Sequence, residues 1–179
     1  MKFFKKTVFY TIIIYISFTS TIAIGDETKL SEHEAYVLLD NLLTLSEESP
    51  NQKVQLAQYK EWEKLFAKFS SSSNEKMTKN KMKIYLFMTF IANEKTKIHP
   101  QEEIAKGIVP VFTRQSEMIL SMLNELPFLI PSTCSSINDH FDLFGAKEQK
   151  QQFIKKYEGV ILKSLGKEHT KVCLDRMKK

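Results

Sequence analysis

The chain has 179 residues, of which 42% are hydrophobic and 26% are charged, and it contains only 5 glycines. This length suits one domain with a hydrophobic core, and the scarcity of glycine disfavours a site in which backbone N–H groups cradle a phosphate. The net charge of +5 is poor support for a nucleic-acid partner, because three lysines and no acidic residue lie within the first 25 positions.

The N-terminal segment Met1–Gly25 has the organisation of a secretory signal peptide. Lysines near Met1 precede an apolar stretch over residues 8–16, and Ala23 and Gly25 supply the small residues of a cleavage site. The apolar stretch is shorter than the roughly 20 residues of a membrane-spanning helix, although an uncleaved anchor is the alternative. We expect an exported protein, periplasmic or secreted, with a single helical domain over residues 26–179 and membrane contact only through an uncleaved signal.

The first part of this domain predicts two amphipathic helices. Ser31 and Glu34 have the spacing of a capping box, and leucines recur after them at the helical period until Ser49-Pro50-Asn51. Gln52–Phe69 has apolar residues three or four positions apart and predicts a second helix. The serine-rich stretch 70–74 predicts a hinge or flexible loop.

Two longer helical patterns follow. Glu75–Glu94 predicts a third helix. Pro100 suits the first turn of the next helix, because its missing N–H would be unpaired there. Gly107 and Pro110 predict that this helix is short or kinked before the pattern resumes over Val111–Leu126.

Prolines then separate the C-terminal part from the rest. Pro127–Pro131 predicts an extended connector, because residues before proline avoid the α region. Ser132 or Thr133 is expected to cap a helix that runs to about Phe144. Gly145 is expected to end that helix in a left-handed turn.

The remaining pattern predicts a helix over Lys147–Leu165, closed by Gly166, and a last helix over Lys167–Met177. We find no convincing segment that alternates apolar and polar residues as a half-buried strand does. The sequence therefore predicts an all-α fold, a compact single-domain bundle of about six to eight helices.

The two cysteines, Cys134 and Cys173, predict one disulfide in the C-terminal half, because an even count in an exported chain favours pairing. The bridge would close a loop of about 40 residues and contribute about 4 kcal/mol to the free energy of unfolding. Two alternatives use the histidines. His140 and His169 could complete a zinc site with the two thiols, or one Cys–His pair could act as nucleophile and base. An oxidising compartment favours the disulfide over both.

Other chemistry-bearing clusters have simpler interpretations. Asp139-His140-x-Asp142 is the densest group of metal-ligand types, yet adjacent residues of a helix point in different directions, so we expect a polar helix face. Glu102 and Glu103 suit the positive end of a helix dipole better than an acid–base pair. Five methionines at helical spacing indicate core or, alternatively, an adaptable apolar pocket: Met77, Met82, Met88, Met118 and Met122. We expect no metal and no cofactor.

Lysines offer the clearest surface for a partner. Lys76, Lys79 and Lys83 share one face of the predicted third helix, and an acidic partner would fit them, although a solvated face is the alternative. Residues 147–179 hold ten basic and four acidic residues. Because the two signs are interspersed there, we expect a solvated helix face rather than a binding tail.

We expect a non-enzymatic exported module that binds another protein, such as a periplasmic immunity or inhibitor protein that neutralises its partner. Small size, export and the lack of catalytic motifs permit this function without demanding it. The alternative is a helical carrier of a lipid or small apolar ligand, which the methionine and phenylalanine content favours. We expect no nucleic-acid partner.

Overall fold

The computed structural model describes residues 31–45, 52–71, 76–95 and 98–179, and the all-α prediction is confirmed in this part of the chain. The predicted signal peptide over Met1–Gly25 lies outside the described residues. A 3-10 turn over Pro127–Leu129 joins the fourth helix to the fifth. The described helices, in chain order, are α1 Glu32–Thr44, α2 Gln52–Ser71, α3 Lys79–Glu94, α4 Ile98–Glu125, α5 Ile130–Leu143 and α6 Lys147–Met177.

The start of α1 confirms the predicted capping box. The Glu34 N–H donates to the Ser31 hydroxyl at 3.2 Å, and the Ser31 N–H donates to Glu34 Oε2 at 2.7 Å. These bonds pair two of the donors that a helix N-terminus leaves open. Hydrogen bonding from the backbone N–H of Ser31, and then from its side chain, lowers the pKa of the Glu34 carboxyl, since it stabilises the charged form.

An aromatic row on α2 fastens this helix to α3. Trp62, Phe66 and Phe69 are buried on one face, and the rings of Phe66 and Phe69 stack against Tyr85 at centroid distances of 6.3 and 6.0 Å. The predicted hinge over 70–74 lies only partly within the described residues. Its first two serines belong to α2, and 72–74 lie outside the described part.

The third helix begins later than predicted. Thr78 is its N-cap and accepts a hydrogen bond from the Lys81 N–H at 3.3 Å, so α3 starts at Lys79 rather than at Glu75. A capping hydroxyl indicates the start of a helix better than the spacing of apolar residues does, because it accepts a hydrogen bond from a backbone N–H that would otherwise be unpaired. Lys76 consequently precedes the helix.

The kink in α4 is at Gln115 and not, as predicted, at Gly107 or Pro110. Gln115 has φ −137° and ψ 37°, whereas the assigned helix runs through the other two positions. Proline commonly kinks a helix, but the non-helical backbone angles within α4 are those of Gln115. The backbone departs from helical geometry where the buried Gln115 side chain is bonded to another segment.

The predicted extended connector is wrong. Pro127–Leu129 is a 3-10 turn that leads directly into α5, and Ile130 has helical φ and ψ of −58° and −51° although it precedes Pro131. Both prolines occupy first-turn positions, where the missing N–H leaves no bond unmade. The predicted cap is wrong as well, since Ser132 lies inside α5 and donates to the Leu129 carbonyl.

Two glycines with positive φ end helical segments as predicted. Gly145 (φ 61°) follows α5, and its N–H and that of Ala146 donate to the carbonyls of Asp142 and Phe141, a Schellman arrangement. Gly166 (φ 73°, ψ 174°) interrupts α6, so residues 167–177 form a separate helical segment. Left-handed φ strains any residue with a Cβ.

One contiguous apolar core runs from Ala35 in α1 to Met177 in α6. The central helices α3, α4 and α5 contact one another, α1 packs on α3, and α6 packs on α4 and α5. The buried face of α6 is a narrow stripe, and the charged side chains of that helix stay outside as predicted, apart from the half-buried Lys150 and His169. Before Gly166 the stripe consists of Phe153, Tyr157, Ile161 and Leu165, and after it the buried residues are Thr170, Cys173, Leu174 and Met177.

Candidate functional site

The predicted disulfide is confirmed. The sulfur atoms of Cys134 and Cys173 are bonded at 2.03 Å, and both residues are buried. The bridge connects α5 to the segment after Gly166. Because both thiols are consumed, neither the Cys–His zinc site nor the Cys–His nucleophile is available in this oxidised chain.

The side chains of the Asp139-His140-x-Asp142 cluster do not converge on one site. His140 Nδ1 lies 2.8 Å from the Ala105 carbonyl oxygen. Since a carbonyl only accepts, Nδ1 carries the proton, and the ring links α5 to α4. Asp139 and Asp142 instead line a surface groove. The predicted polar helix face is therefore formed by the carboxylates alone.

This surface groove, which we call the α4–α5 groove, is open to solvent and has a volume of about 320 Å³, at the lower end of the roughly 300–1,000 Å³ of ligand pockets. Ile98 and Leu143 on its walls expose 63% and 44% of their surface. Large apolar side chains in contact with water beside polar groups mark sites of interaction. The six residues that line the groove are Ile98, Gln101, Glu102, Asp139, Asp142 and Leu143.

A hydrogen-bond network fixes one side of the α4–α5 groove. Asn138 Nδ2 donates to Asp142 Oδ2 at 2.8 Å, and Lys150 Nζ donates to Asn138 Oδ1 at 2.6 Å and to Asp142 Oδ1 at 3.1 Å. On the other side, Gln101 Nε2 donates to the Ala92 carbonyl and joins α4 to the end of α3. Hydrogen bonds thus connect the walls of the groove to α3 and α6.

Asp139 is the most perturbed carboxyl group of the groove. Burial raises its pKa above the ordinary value of 3.8, the bond from Asn138 lowers it, the charge of Asp142 raises it, and the charge of Lys150 lowers it. Because desolvation is the largest cause, the ionised carboxylate is poorly solvated in the free protein. A cation brought into the groove would compensate for that lost solvation.

The surroundings of Glu102 and Glu103 are also acidic. Lys106 pairs with Glu103, and this hydrogen bond raises the pKa of the lysine. Burial, followed by the charges of Glu63, Glu103 and Glu102, raises the pKa of Tyr59 to about 12. Acidic residues are therefore clustered at the N-terminal end of α4, and stabilisation of the helix dipole does not by itself account for all of them.

The three lysines predicted to form a stripe are not arranged as one. Lys76 is exposed but precedes α3, and Lys83 is half-buried. Lys79 is exposed and pairs with Glu125 at 3.2 Å. Binding of an acidic partner at these lysines stays a prediction. Of the three lysines that were expected to share a helix face, only Lys79 and Lys83 lie on α3.

The methionines lie mainly in the core. Of the five at helical spacing, four are buried, and Met118 is half-buried against the core cluster. Among the described residues, no group of three or more His, Cys, Asp or Glu side chains is placed to hold a metal ion. Sequence reasoning missed the α4–α5 groove, because its walls are 37 or more positions apart and only tertiary packing brings them together.

No protein-family model, curated protein or solved structure matched this chain. No helix in the described part is long and apolar enough to cross a membrane. The disulfide and this finding are compatible with an exported protein.

Proposed function

We propose that this chain is an exported, non-enzymatic protein-binding module, of the kind of a periplasmic immunity or inhibitor protein, and that the α4–α5 groove is its binding surface. One observation carries the proposal: the exposed Ile98 and Leu143 line the same groove as three carboxylates. Apolar anchors surrounded by polar groups are the usual composition of a protein interface. The signal-type N-terminus and the disulfide support action outside the cytoplasm.

The alternative of a carrier for a lipid or small apolar ligand has less support. The α4–α5 groove is open and lined by three carboxylates, whereas an apolar ligand needs an enclosed apolar cavity. A second pocket, lined by Asn41, Thr44, Leu45, Gln58 and Glu61, is smaller, at about 160 Å³, and is mostly polar.

The proposal is tested by affinity isolation from the source cell. The full chain, with its N-terminal segment intact and a tag after Lys179, is expressed at native level, cross-linked and recovered from the exported fraction. Leu143→Asp places a charge in the groove, and Leu162→Asp is the matched control, because Leu162 lies on α6 with a similar exposed fraction of 48%.

We expect one protein to be recovered in near-stoichiometric amount with the native chain and with Leu162→Asp, and to be lost with Leu143→Asp. Recovery of no protein above an unrelated tagged exported protein would refute the binding function. Equal recovery with both variants would refute the groove as the binding surface.

A further inference from the structure

The carboxylates of the α4–α5 groove are incompletely neutralised. Among the described residues, Lys106 pairs with Glu103, and Lys150 bonds to Asp142 and Asn138. Within the described part of the chain, neither Glu102 nor Asp139 makes an ion pair. In the part of the chain that the structure describes, only one of the three groove carboxylates, Asp142, is thus paired with a lysine.

Two exposed apolar side chains line the same groove as these carboxylates. Ile98, one helical turn before Glu102, is the most exposed large hydrophobic residue in the described part of the chain, and Leu143 directly follows Asp142. A complementary ligand needs apolar side chains to cover Ile98 and Leu143 and cations to meet the carboxylates. Lysine or arginine at helical spacing beside leucine-like residues supplies both from one segment.

Exposed apolar residues on α6 lie among charges of both signs. Val160 and Leu162 have the exposed Glu158 and Lys163 close to them in sequence. A cationic segment would meet a lysine there as well as a carboxylate, although the apolar exposure is similar. Charge, and not apolar exposure alone, thus distinguishes the α4–α5 groove from the surface of α6.

We propose that the α4–α5 groove binds a cationic amphipathic segment of a partner protein, with basic side chains at Glu102 and Asp139 and an apolar side chain between Ile98 and Leu143. This inference rests on the proposed protein-binding function and specifies the chemistry of the partner. Acidic proteins, nucleic acids and anionic lipid surfaces would be repelled by the same carboxylates.

The test uses defined peptides and the full chain, exported and oxidised. An 18-residue amphipathic helix of lysine and leucine is compared with a peptide in which every lysine is glutamine, by isothermal titration calorimetry at low and at moderate salt. The groove variant Glu102→Gln/Asp139→Asn removes two charges. The control Glu158→Gln/Asp175→Asn removes two from the exposed surface of α6.

We expect the lysine peptide to bind in a 1:1 ratio and at least about tenfold more tightly than the glutamine peptide, which corresponds to about 1.4 kcal/mol. Its affinity should fall about tenfold in the groove variant and less than about twofold in the control, and more salt should weaken it. Equal binding of the two peptides, or equal losses in the two variants, would overturn the proposal.

Failure of this inference and failure of the proposed function are distinguishable. If the cell yields a partner that Leu143→Asp releases but the lysine peptide does not bind, the function stands and the cationic segment is wrong. If the peptide binds at the groove but no partner is recovered, the groove chemistry stands and the cellular function is wrong.

Discussion

The side chain of Gln115 holds the backbone of Met77 through a pair of hydrogen bonds. The Met77 N–H donates to Gln115 Oε1 at 2.7 Å, and Gln115 Nε2 donates to the Met77 carbonyl at 3.0 Å. Gln115 stands at the kink of α4, and Met77 lies just before α3. One buried amide thus pairs both backbone groups of Met77, which belongs to no helix.

Replacement of Gln115 should therefore be costly. Gln115→Leu keeps the size of the side chain but leaves the Met77 N–H and carbonyl buried without partners, and we expect the free energy of unfolding to fall by about 3 kcal/mol. Urea denaturation followed by circular dichroism measures this change. Gln151→Leu, on the exposed side of α6, is the matched control and should change it by less than about 0.5 kcal/mol. Equal midpoints for the two variants would contradict the role of Gln115.

Gly107 makes room for the hydroxyl of Tyr85. A Cβ at Gly107 would lie 3.2 Å from Tyr85 Oη, which donates to the Ile104 carbonyl at 3.0 Å. Gly107→Ala should gain about 1 kcal/mol of helix propensity in a Tyr85→Phe background and less in the native background, where the hydroxyl must shift.

The matched control for this cycle is Gly159→Ala. Its Cβ would meet no atom within 4 Å, so it should stabilise the chain by about 1 kcal/mol whether position 85 is tyrosine or phenylalanine. Denaturation of the variants in both backgrounds measures the coupling. The same gain from Gly107→Ala in both backgrounds would show that the contact with Tyr85 is not tight.

The disulfide should stabilise most strongly the segment after Gly166, which it links covalently to α5. Its loop spans a sequence separation of 39, and Cys134→Ala/Cys173→Ala should lower the free energy of unfolding by about 4 kcal/mol in the chain-entropy account. Amide hydrogen exchange should show the largest loss of protection over residues 167–177. Two free thiols in oxidised, natively purified protein, or unchanged protection there, would contradict this prediction.

The raised pKa of Asp139 predicts that this carboxyl lowers the stability of the protein at neutral pH. The folded carboxyl takes up a proton at a higher pH than the unfolded chain does, so its contribution to stability falls as pH rises above 3.8. Asp139→Asn should stabilise the protein at pH 7, and the gain should shrink towards pH 3.5. Thermal denaturation at both values measures it, with the exposed Asp175→Asn as control. Destabilisation by Asp139→Asn at neutral pH would contradict the desolvation of this group.

Local signals were the most reliable part of the sequence analysis. The capping box of Ser31, the left-handed turn at Gly145 and the end of a helical segment at Gly166 depend on neighbouring residues only, and the structure has them as predicted. The kink at Gln115 was misplaced because its cause, the bond to Met77, is 38 positions away. The start of α5 was misplaced because the rule on residues before proline is a bias, which packing of Ile130 overrides.

The candidate site was less predictable than the fold. The pattern around Asp139 and Asp142 was noticed, but nothing in the sequence placed Ile98 and Glu102 opposite them. The lysine stripe depended on Lys76 being helical, and the hydroxyl of Thr78 starts α3 after that residue. Long-range packing decides which exposed residues share a surface, and a periodic pattern describes only one helix at a time.

The central claim is that a partner protein binds at the α4–α5 groove. Its most direct test is to record amide chemical shifts of the isotopically labelled, oxidised chain while the recovered partner is added. The account predicts the largest changes over residues 98–102 and 139–144, with little change along the exposed side of α6. Changes concentrated at Lys76, Lys79 and Lys83, or on α6, would contradict it.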